Sequence, residues 1–269
     1  VLKADLHLHT TASDGHLRPS ELVELARKNH LNTIAITDHD TTDGFFEAQQ
    51  EANNFPVVVP GIELSAEEND VDVHMLGYYV QPENKDFQAT LTRFRNDRLD
   101  RGQGMVEKLA TLGKPIRWER VLELSNGGSV GRPHVARAMV EAGHVESVNA
   151  AFDLYLRHGG PAYVSRKRMS PEEAVELIHS AGGVAVMAHP GLVADYLGVL
   201  ERLVAAGLDG VEYNHPRNPT AVRENVRAVA LKYNLIMTGG SDFHRMGDAM
   251  GGYNAPPEAL LALRERKRK

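Results

Sequence analysis

Two histidines one residue apart, His7 and His9, stand between Asp5 and Asp14 near the start of the chain. Ala4, Leu6 and Leu8 alternate with Asp5, His7 and His9, a period of two that predicts a short strand with both imidazoles on one side. That spacing can clamp a metal ion. More donors recur at the ends of later apolar runs: Asp38-His39, Glu63, His74, His134, His189, and Asp242 with His244. Neutral imidazoles and ionised carboxylates are metal donors, and clustered carboxylates need a cation to offset their repulsion. Any one of these residues alone is equally well explained as a polar loop residue. Their joint recurrence at strand ends is not, and it implies a multinuclear metallohydrolase acting on phosphoesters.

Composition narrows the metal chemistry. The 269 residues include no cysteine, so thiolate zinc sites, iron–sulfur clusters and disulfides are excluded, and imidazole and carboxylate must hold any metal. That donor set suits Mn, Zn or Fe. A formal charge of -6 argues against charge-driven binding of long duplex nucleic acid, although it leaves room for a local basic pocket. No apolar run is long enough for a membrane span, and Val1-Leu2-Lys3 carries no signal-peptide pattern, so a cytoplasmic protein is expected. No obligate protein partner is evident.

The donors need elements to position them. Apolar strands are predicted at Thr33 to Thr37, Phe55 to Pro60, Val71 to Val80, Gly182 to Ala188, Leu208 to Tyr213 and Leu235 to Thr238, with helical patterns between most of them. This alternation predicts an α/β fold. Glu63 and His74 fall on two runs joined by an acidic turn, so a hairpin would let both reach one ion. From residue 86 to 166 the patterns are almost all helical, which predicts a helical insertion or cap. Residues 1–85 and 167–269 are left to form the metallohydrolase barrel. Arg264 to Lys269 reads as a frayed, solvated basic tail.

Taken together, these motifs resemble the PHP family, named for its polymerase and histidinol phosphatase members. The resemblance is carried by His7-Leu8-His9-Thr10 with Ser13-Asp14-Gly15, Thr37-Asp38-His39, Gly61-Ile62-Glu63, and His74-Met75-Leu76-Gly77-Tyr78. Gly131-Arg132-Pro133-His134, Ala188-His189-Pro190 and Gly240-Ser241-Asp242-Phe243-His244 extend it over nearly the whole chain. The resemblance implies a distorted (β/α)7 barrel of parallel-type strands with two or three divalent metal ions at the strand ends. It implies one ion on His7, His9, Glu63 and Asp242, a second on Glu63, His74 and His134, and a third on Asp14, His39 and His244. His189 is left to contact phosphate or to donate a proton to the leaving oxygen. His189, Asp242 and His39 are the expected catalytic residues.

Cations in such a site lower the pKa of a water so that hydroxide attacks phosphorus, and they offset charge in the transition state. Arg117, Arg132, Arg166, Lys167, Arg168 and Arg217, with His215, are candidates to bind a second phosphate, because guanidinium groups pair with oxyanions. Tyr78, Tyr213 and Phe243 are candidates to stack on a base. Within the family, the chain is similar to stand-alone bacterial members that hydrolyse nucleoside 3′,5′-bisphosphates and act as 5′–3′ exonucleases on short 5′-phosphorylated RNA. The alternatives are a histidinol phosphatase or other small-metabolite phosphomonoesterase, and a noncatalytic metal-stabilised interaction domain.

Overall fold

A computed structural model describes residues 2–68, 71–125, 130–165 and 169–268. Seven strands are present among them: β1 (Ala4–Leu8), β2 (Thr33–Ile36), β3 (Val57–Glu68), β4 (Val71–Tyr78), β5 (Val184–Met187), β6 (Gly210–Asn214) and β7 (Ile236–Gly239). They lie in one sheet in chain order. A parallel bridge from Leu8 to Phe243 and a 3.0 Å bond from the His9 N–H to the Phe243 carbonyl bring its two edges together. The result is a nearly closed α/β barrel.

The parallel-type strands that the resemblance implied are interrupted at β4, in keeping with the hairpin expected for Glu63 and His74. β4 runs antiparallel to both β3 and β5, while the other neighbours are parallel. The predicted strand at Phe55 to Pro60 and the following Gly61 to Ser65 are one continuous strand, β3. Its first part, Val57 to Pro60, pairs with β2, and Gly61 to Glu68 pairs with β4. The changeover falls at Gly61, where a Cβ would sit 2.8 Å from the Ile36 carbonyl oxygen and 2.9 Å from Thr37 Cγ2, so only glycine fits. Because β4 is reversed, its starting residues lie at the same rim as the carboxyl ends of its neighbours.

Alternation along the strands divides the core. Ala35, Val59, Leu76, Val184, Val186 and Ile236 gather in one cluster, which the helix α10 (Pro257–Arg266) joins through Ala259 and Leu263. Ile62, Leu64, Met75, Met187 and Val211 gather in another, covered by α7 (Pro171–Ser180), α8 (Tyr196–Ala205) and α9 (Thr220–Tyr233). Leu22, Val23 and Ala26 of α1 (Pro19–Lys28) and Ala48 and Ala52 of α2 (Asp43–Ala52) cover Ile34 and Ile36. Each fully buried Leu or Ile contributes about 1.5–3 kcal/mol.

Strict alternation does not hold on β1. Leu6 and Leu8 fall in different clusters, and the pairing of β1 with β2 shifts register between Asp5 and Leu8.

Between β4 and α7 lie α3 (Lys85–Thr111), α4 (Trp118–Ser125), α5 (Arg132–Glu141), α6 (Val148–Ala151) and a π-helical turn at Phe152–Leu156. They carry an apolar cluster of their own, built from residues such as Met105, Leu109, Val121, Val135 and Met139. The basic tail is also corrected. α10 continues to Arg266, and Arg268 donates to Asp209 Oδ2 at 3.0 Å and to the Gly183 carbonyl at 3.3 Å. Among the described residues, no helix is long and apolar enough to cross a membrane.

Candidate metal centre

One rim of the barrel collects the donors. His7 lies on β1 and His9 one residue past its end; His39 follows β2, and Glu63 sits on β3. His74 is near the start of the reversed β4, His189 follows β5, His215 follows β6, and Asp242 and His244 follow β7. The loop after β7 can lie against β1 because residue 240 is glycine. A Cβ there would sit 2.2 Å from His7 Cβ. Asp5 fastens the same loop by accepting the Ser241 N–H at 2.9 Å and the Gly251 N–H at 2.8 Å.

Glu63 is the hub. Its Oε2 lies 3.3 Å from His7 Nε2, 3.2 Å from His9 Nε2 and 3.2 Å from His39 Nδ1. Its Oε1 lies 2.9 Å from His74 Nδ1 and 3.0 Å from His189 Nε2. Asp242 Oδ1 lies 3.4 Å from His7 Nε2 and 3.3 Å from His9 Nε2. Asp14 Oδ1 lies 3.3 Å from His244 Nε2. Among the described residues, donor atoms close enough to share an ion fall into four overlapping groups: His9, Asp14, His39 and His244; His7, His9 and Glu63; His39, Glu63 and His74; and His7, His215 and Asp242.

Two independent properties fit this cluster to cations. His7 Nε2, both ring nitrogens of His9, His39 Nδ1, Glu63 Oε2 and His189 Nδ1 are buried without a hydrogen-bond partner. Such orphaned groups cost about 1–3 kcal/mol each unless something binds them. The protonation balance agrees. Burial pushes His9 down, but Asp242 and Glu63 overcome it and raise its pKa to about 10. Burial likewise opposes a charged His7, and Glu212, Glu63 and Asp242 hold it well above the ordinary imidazole value. His39 is pushed down to about 3 by burial, which Glu63 and Asp14 only partly offset. Protons and cations thus compete for the same negative site.

Backbone strain accompanies this arrangement. His189 and Asp242 hold φ of 24° and 54°, a left-handed conformation costing about 1–3 kcal/mol each in a non-glycine residue. The His189 N–H is anchored on Glu212 Oε2 at 2.7 Å.

Two histidines stand apart from their expected roles. His134 and His189 both fall outside the four donor groups, but His189 Nε2 lies 3.0 Å from Glu63 Oε1, whereas His134, buried on the first turn of α5, has its Nδ1 accepting the Gly131 N–H at 2.9 Å. His215, expected at the substrate, is wholly buried and joins a donor group, with Nε2 3.5 Å from Asp242 Oδ2. Its Nδ1 accepts the Arg217 N–H at 3.0 Å. With Nδ1 engaged by that N–H, Nε2 is the ring atom that faces Asp242, and it is buried without a hydrogen-bond partner.

Two cavities open beside the cluster. Asp14, His39 and His74 line the first, together with Arg98, Arg132 and Phe152. Arg98 donates to Asp40 Oδ2 at 2.6 Å and to Ser65 Oγ at 2.5 Å, while Arg132 lies over the Phe152 ring and bonds Asp72 at 2.6 Å. Asp242 and His244 line the second, a space of about 570 Å³ that includes Arg217.

Other candidates are placed elsewhere. Arg117 is 76% exposed and pairs with Glu119, reaching neither cavity. Tyr78 is buried with its hydroxyl donating to the Leu6 carbonyl, Phe243 is buried among Leu8 and Leu22, and Tyr213 packs against the core. None of the three is available to a base in either cavity. Arg166, Lys167 and Arg168 lie outside the described residues.

Sequence reading missed Glu212 and Arg98. Glu212 lies on β6, where a buried carboxylate is identifiable only by its partner. Arg98 is one of several charged residues on α3, and only its helical face distinguishes it.

A nearly closed barrel with such a rim cluster defines a metal-dependent phosphoesterase fold. The profile of the PHP domain matches residues 5–179, and the chain belongs to the PHP family. It is 36% identical over 251 residues to the 5′–3′ exoribonuclease Rnm of Salmonella typhimurium, covering 90% of this chain and 85% of that protein. It is 33% identical over 255 residues to the 3′,5′-nucleoside bisphosphate phosphatase of Chromobacterium violaceum, covering 91% and 88%. The crystal structure of a candidate metal-dependent phosphoesterase from Bifidobacterium adolescentis superposes with a TM-score of 0.91 at 34% identity, over 100% of this chain and 98% of that one.

Proposed function

We propose that the protein hydrolyses the 3′-phosphate of nucleoside 3′,5′-bisphosphates, and by the same chemistry acts on short 5′-phosphorylated RNA. The observation that carries this reading is the donor cluster opening directly into an arginine-lined cavity. The printed activities of the Rnm exoribonuclease and the bisphosphate phosphatase support it. A histidinol phosphatase would have less use for Arg98 and Arg132 beside the cluster. A noncatalytic metal-stabilised domain would close the site, whereas Asp242 is 25% exposed on the rim.

Two or three divalent ions, Mn, Zn or Fe, would be held by three sets of residues. His7, His9, Glu63 and Asp242 form one; Asp14, His39 and His244 form another. The third is Glu63 with His74 and His189. His189 replaces the expected His134 because His189 Nε2 and His74 Nδ1 share the same Glu63 oxygen, while the Nδ1 of His134 is taken by Gly131. When bound, such ions supply Lewis acidity and make a nucleophilic water available near neutral pH.

The chain's own residues then complete the reaction. Arg98 and Arg132 donate to the oxygens of the second phosphate and fix the substrate's orientation. Asp242, the least covered of the central carboxylates, accepts a hydrogen bond from the attacking water. Helices α3 to α6 form a cap that contributes both arginines.

The test is phosphate release from 3′-phosphorylated, 3′,5′-bisphosphorylated and 5′-phosphorylated dinucleotide substrates, run with metal analysis of the same preparation. Faster turnover of the bisphosphate than of histidinol phosphate is expected. No phosphate release from any nucleotide by metal-loaded protein overturns the reading.

A further inference from the structure

The second cavity has a composition that a bisphosphate does not use. Arg137 from α5, Arg217 after β6 and Arg245 after His244 converge on it. Arg217 and Arg245 are exposed, and neither side chain has a hydrogen-bond or ion-pair partner among the described residues. Arg137 is half-buried and donates to the Asp14 carbonyl at 3.2 Å. The carboxylates that face this space are committed elsewhere. Asp242 belongs to the donor cluster, and Asp248 Oδ2 accepts the N–H groups of His244 and Arg245, both at 2.9 Å.

The cluster separates the two cavities, giving Asp14, His39 and His74 to one and Asp242 and His244 to the other. A phosphomonoester at the cluster has one ester substituent and occupies one side. A phosphodiester has two. We infer that Arg137, Arg217 and Arg245 form a downstream subsite for the next phosphate of an RNA chain. This inference rests on the proposed phosphoesterase activity.

One geometry serves both substrates. The nucleoside carrying the 5′-phosphate lies in the first cavity with its 3′-linked phosphorus at the cluster. Water oxygen bonds to phosphorus, the P–O3′ bond breaks, and a proton ends on the departing 3′-oxygen. From a bisphosphate the product is inorganic phosphate. From a chain, the phosphate stays on the 5′-oxygen of the remainder, which the second cavity holds. The groove continues past His16 and Arg137 to Thr11, Ser13 and Ser125, leaving a path for that remainder.

The experiment compares kcat/KM for a nucleoside 3′,5′-bisphosphate and for a 5′-phosphorylated tetraribonucleotide, in the unaltered protein and in Arg217→Gln and Arg245→Gln. Each substitution removes one charge-assisted contact from an exposed, unpartnered side chain. The ratio of oligonucleotide to bisphosphate kcat/KM is expected to fall about tenfold in each variant, chiefly through the oligonucleotide KM. An unchanged ratio in both variants, or parallel loss on both substrates, overturns the subsite. Unaltered protein that cleaves the bisphosphate but not the oligonucleotide overturns this inference and the RNA half of the proposed function, and leaves the bisphosphate phosphatase reading standing. Protein that cleaves neither overturns the phosphoesterase reading with it.

Discussion

His7 Nδ1 lies 3.0 Å from Oε1 of Glu212, a carboxylate 205 residues further along the chain, and neither side chain is exposed to solvent. The bond fixes a ring proton on Nδ1, so that in the neutral ring Nε2 is the atom with a free lone pair, facing Glu63 and Asp242. Carboxylates that orient metal-binding imidazoles in this way typically change metal affinity by about 10–100-fold when removed. Glu212→Gln keeps the shape and loses the charge. Its metal dissociation constant, measured by competition with a chelator, is expected to rise by about that factor, while kcat at saturating metal falls much less.

Asp242 and His39 lie on opposite sides of the cluster, and each is partly exposed on the rim. Asp242→Ala and His39→Ala are each expected to lower phosphate release by about 10²–10⁴-fold. Circular dichroism should show a folded chain in both. Turnover near the unaltered rate with full metal content would remove these residues from the mechanism.

His189 and His134 make opposite predictions. Metal analysis of His189→Ala should show loss of about one ion per chain, since its Nε2 shares Glu63 Oε1 with His74. His134→Ala should retain the full complement, because that ring is engaged with the Gly131 N–H that opens α5. The reverse pattern would restore the assignment first read from the motif.

Stripped of metal by chelation, the protein should show a stability maximum near pH 6.5. His39 is held at about 3 in the folded chain, so the unfolded chain binds more protons between pH 3 and 6.5 and stability rises with pH there. His9 is raised to about 10, so its contribution is fully present below pH 6.5 and is lost as pH rises toward 10. Thermal melts at pH 4.5, 6.5 and 8.5 test both limbs. Metal binding at pH 7.5 must then release protons, which calorimetry in two buffers of different ionisation enthalpy will detect.

Away from the cluster, Asp209 Oδ2 accepts from the Ala185 N–H at 2.9 Å and from Arg268 at 3.0 Å, and lies 2.8 Å from His179 Nε2. This nearly buried carboxylate ties the end of α7, the start of β5 and the C-terminal segment together. Burial pushes its pKa up, but His179, Ala185 and Arg268 prevail and hold it below the ordinary aspartate value. Its contribution is therefore present at neutral pH and is lost as pH falls through that depressed value. Asp209→Asn should cost about 1–3 kcal/mol in urea unfolding at pH 7, with little effect on kcat.

The sequence by itself exposed most of the candidate donors and the kind of elements that carry them. His7, His9, His39, Asp242 and His244 stand on or just past strand ends, Glu63 and His74 lie within the paired strands β3 and β4, and Asp14 follows β1 in a loop; residue type and local period made them legible, and the absence of cysteine confined the metal chemistry. The Glu63 and His74 hairpin was also legible, because two apolar runs flank a short polar turn.

Only the tertiary structure decided how those donors are shared. Whether His134 or His189 faces Glu63, whether His215 meets substrate or Asp242, and whether Glu212 is an ordinary strand residue or the support of His7 depend on strand register and on β4 running backwards. None of these leaves a local periodic trace. The two arginine-lined cavities arise likewise from α3 and α5 lying over a rim built from distant strands. A hydrophobic period reports which side of an element is buried, but the partner it meets there is set by closing the barrel.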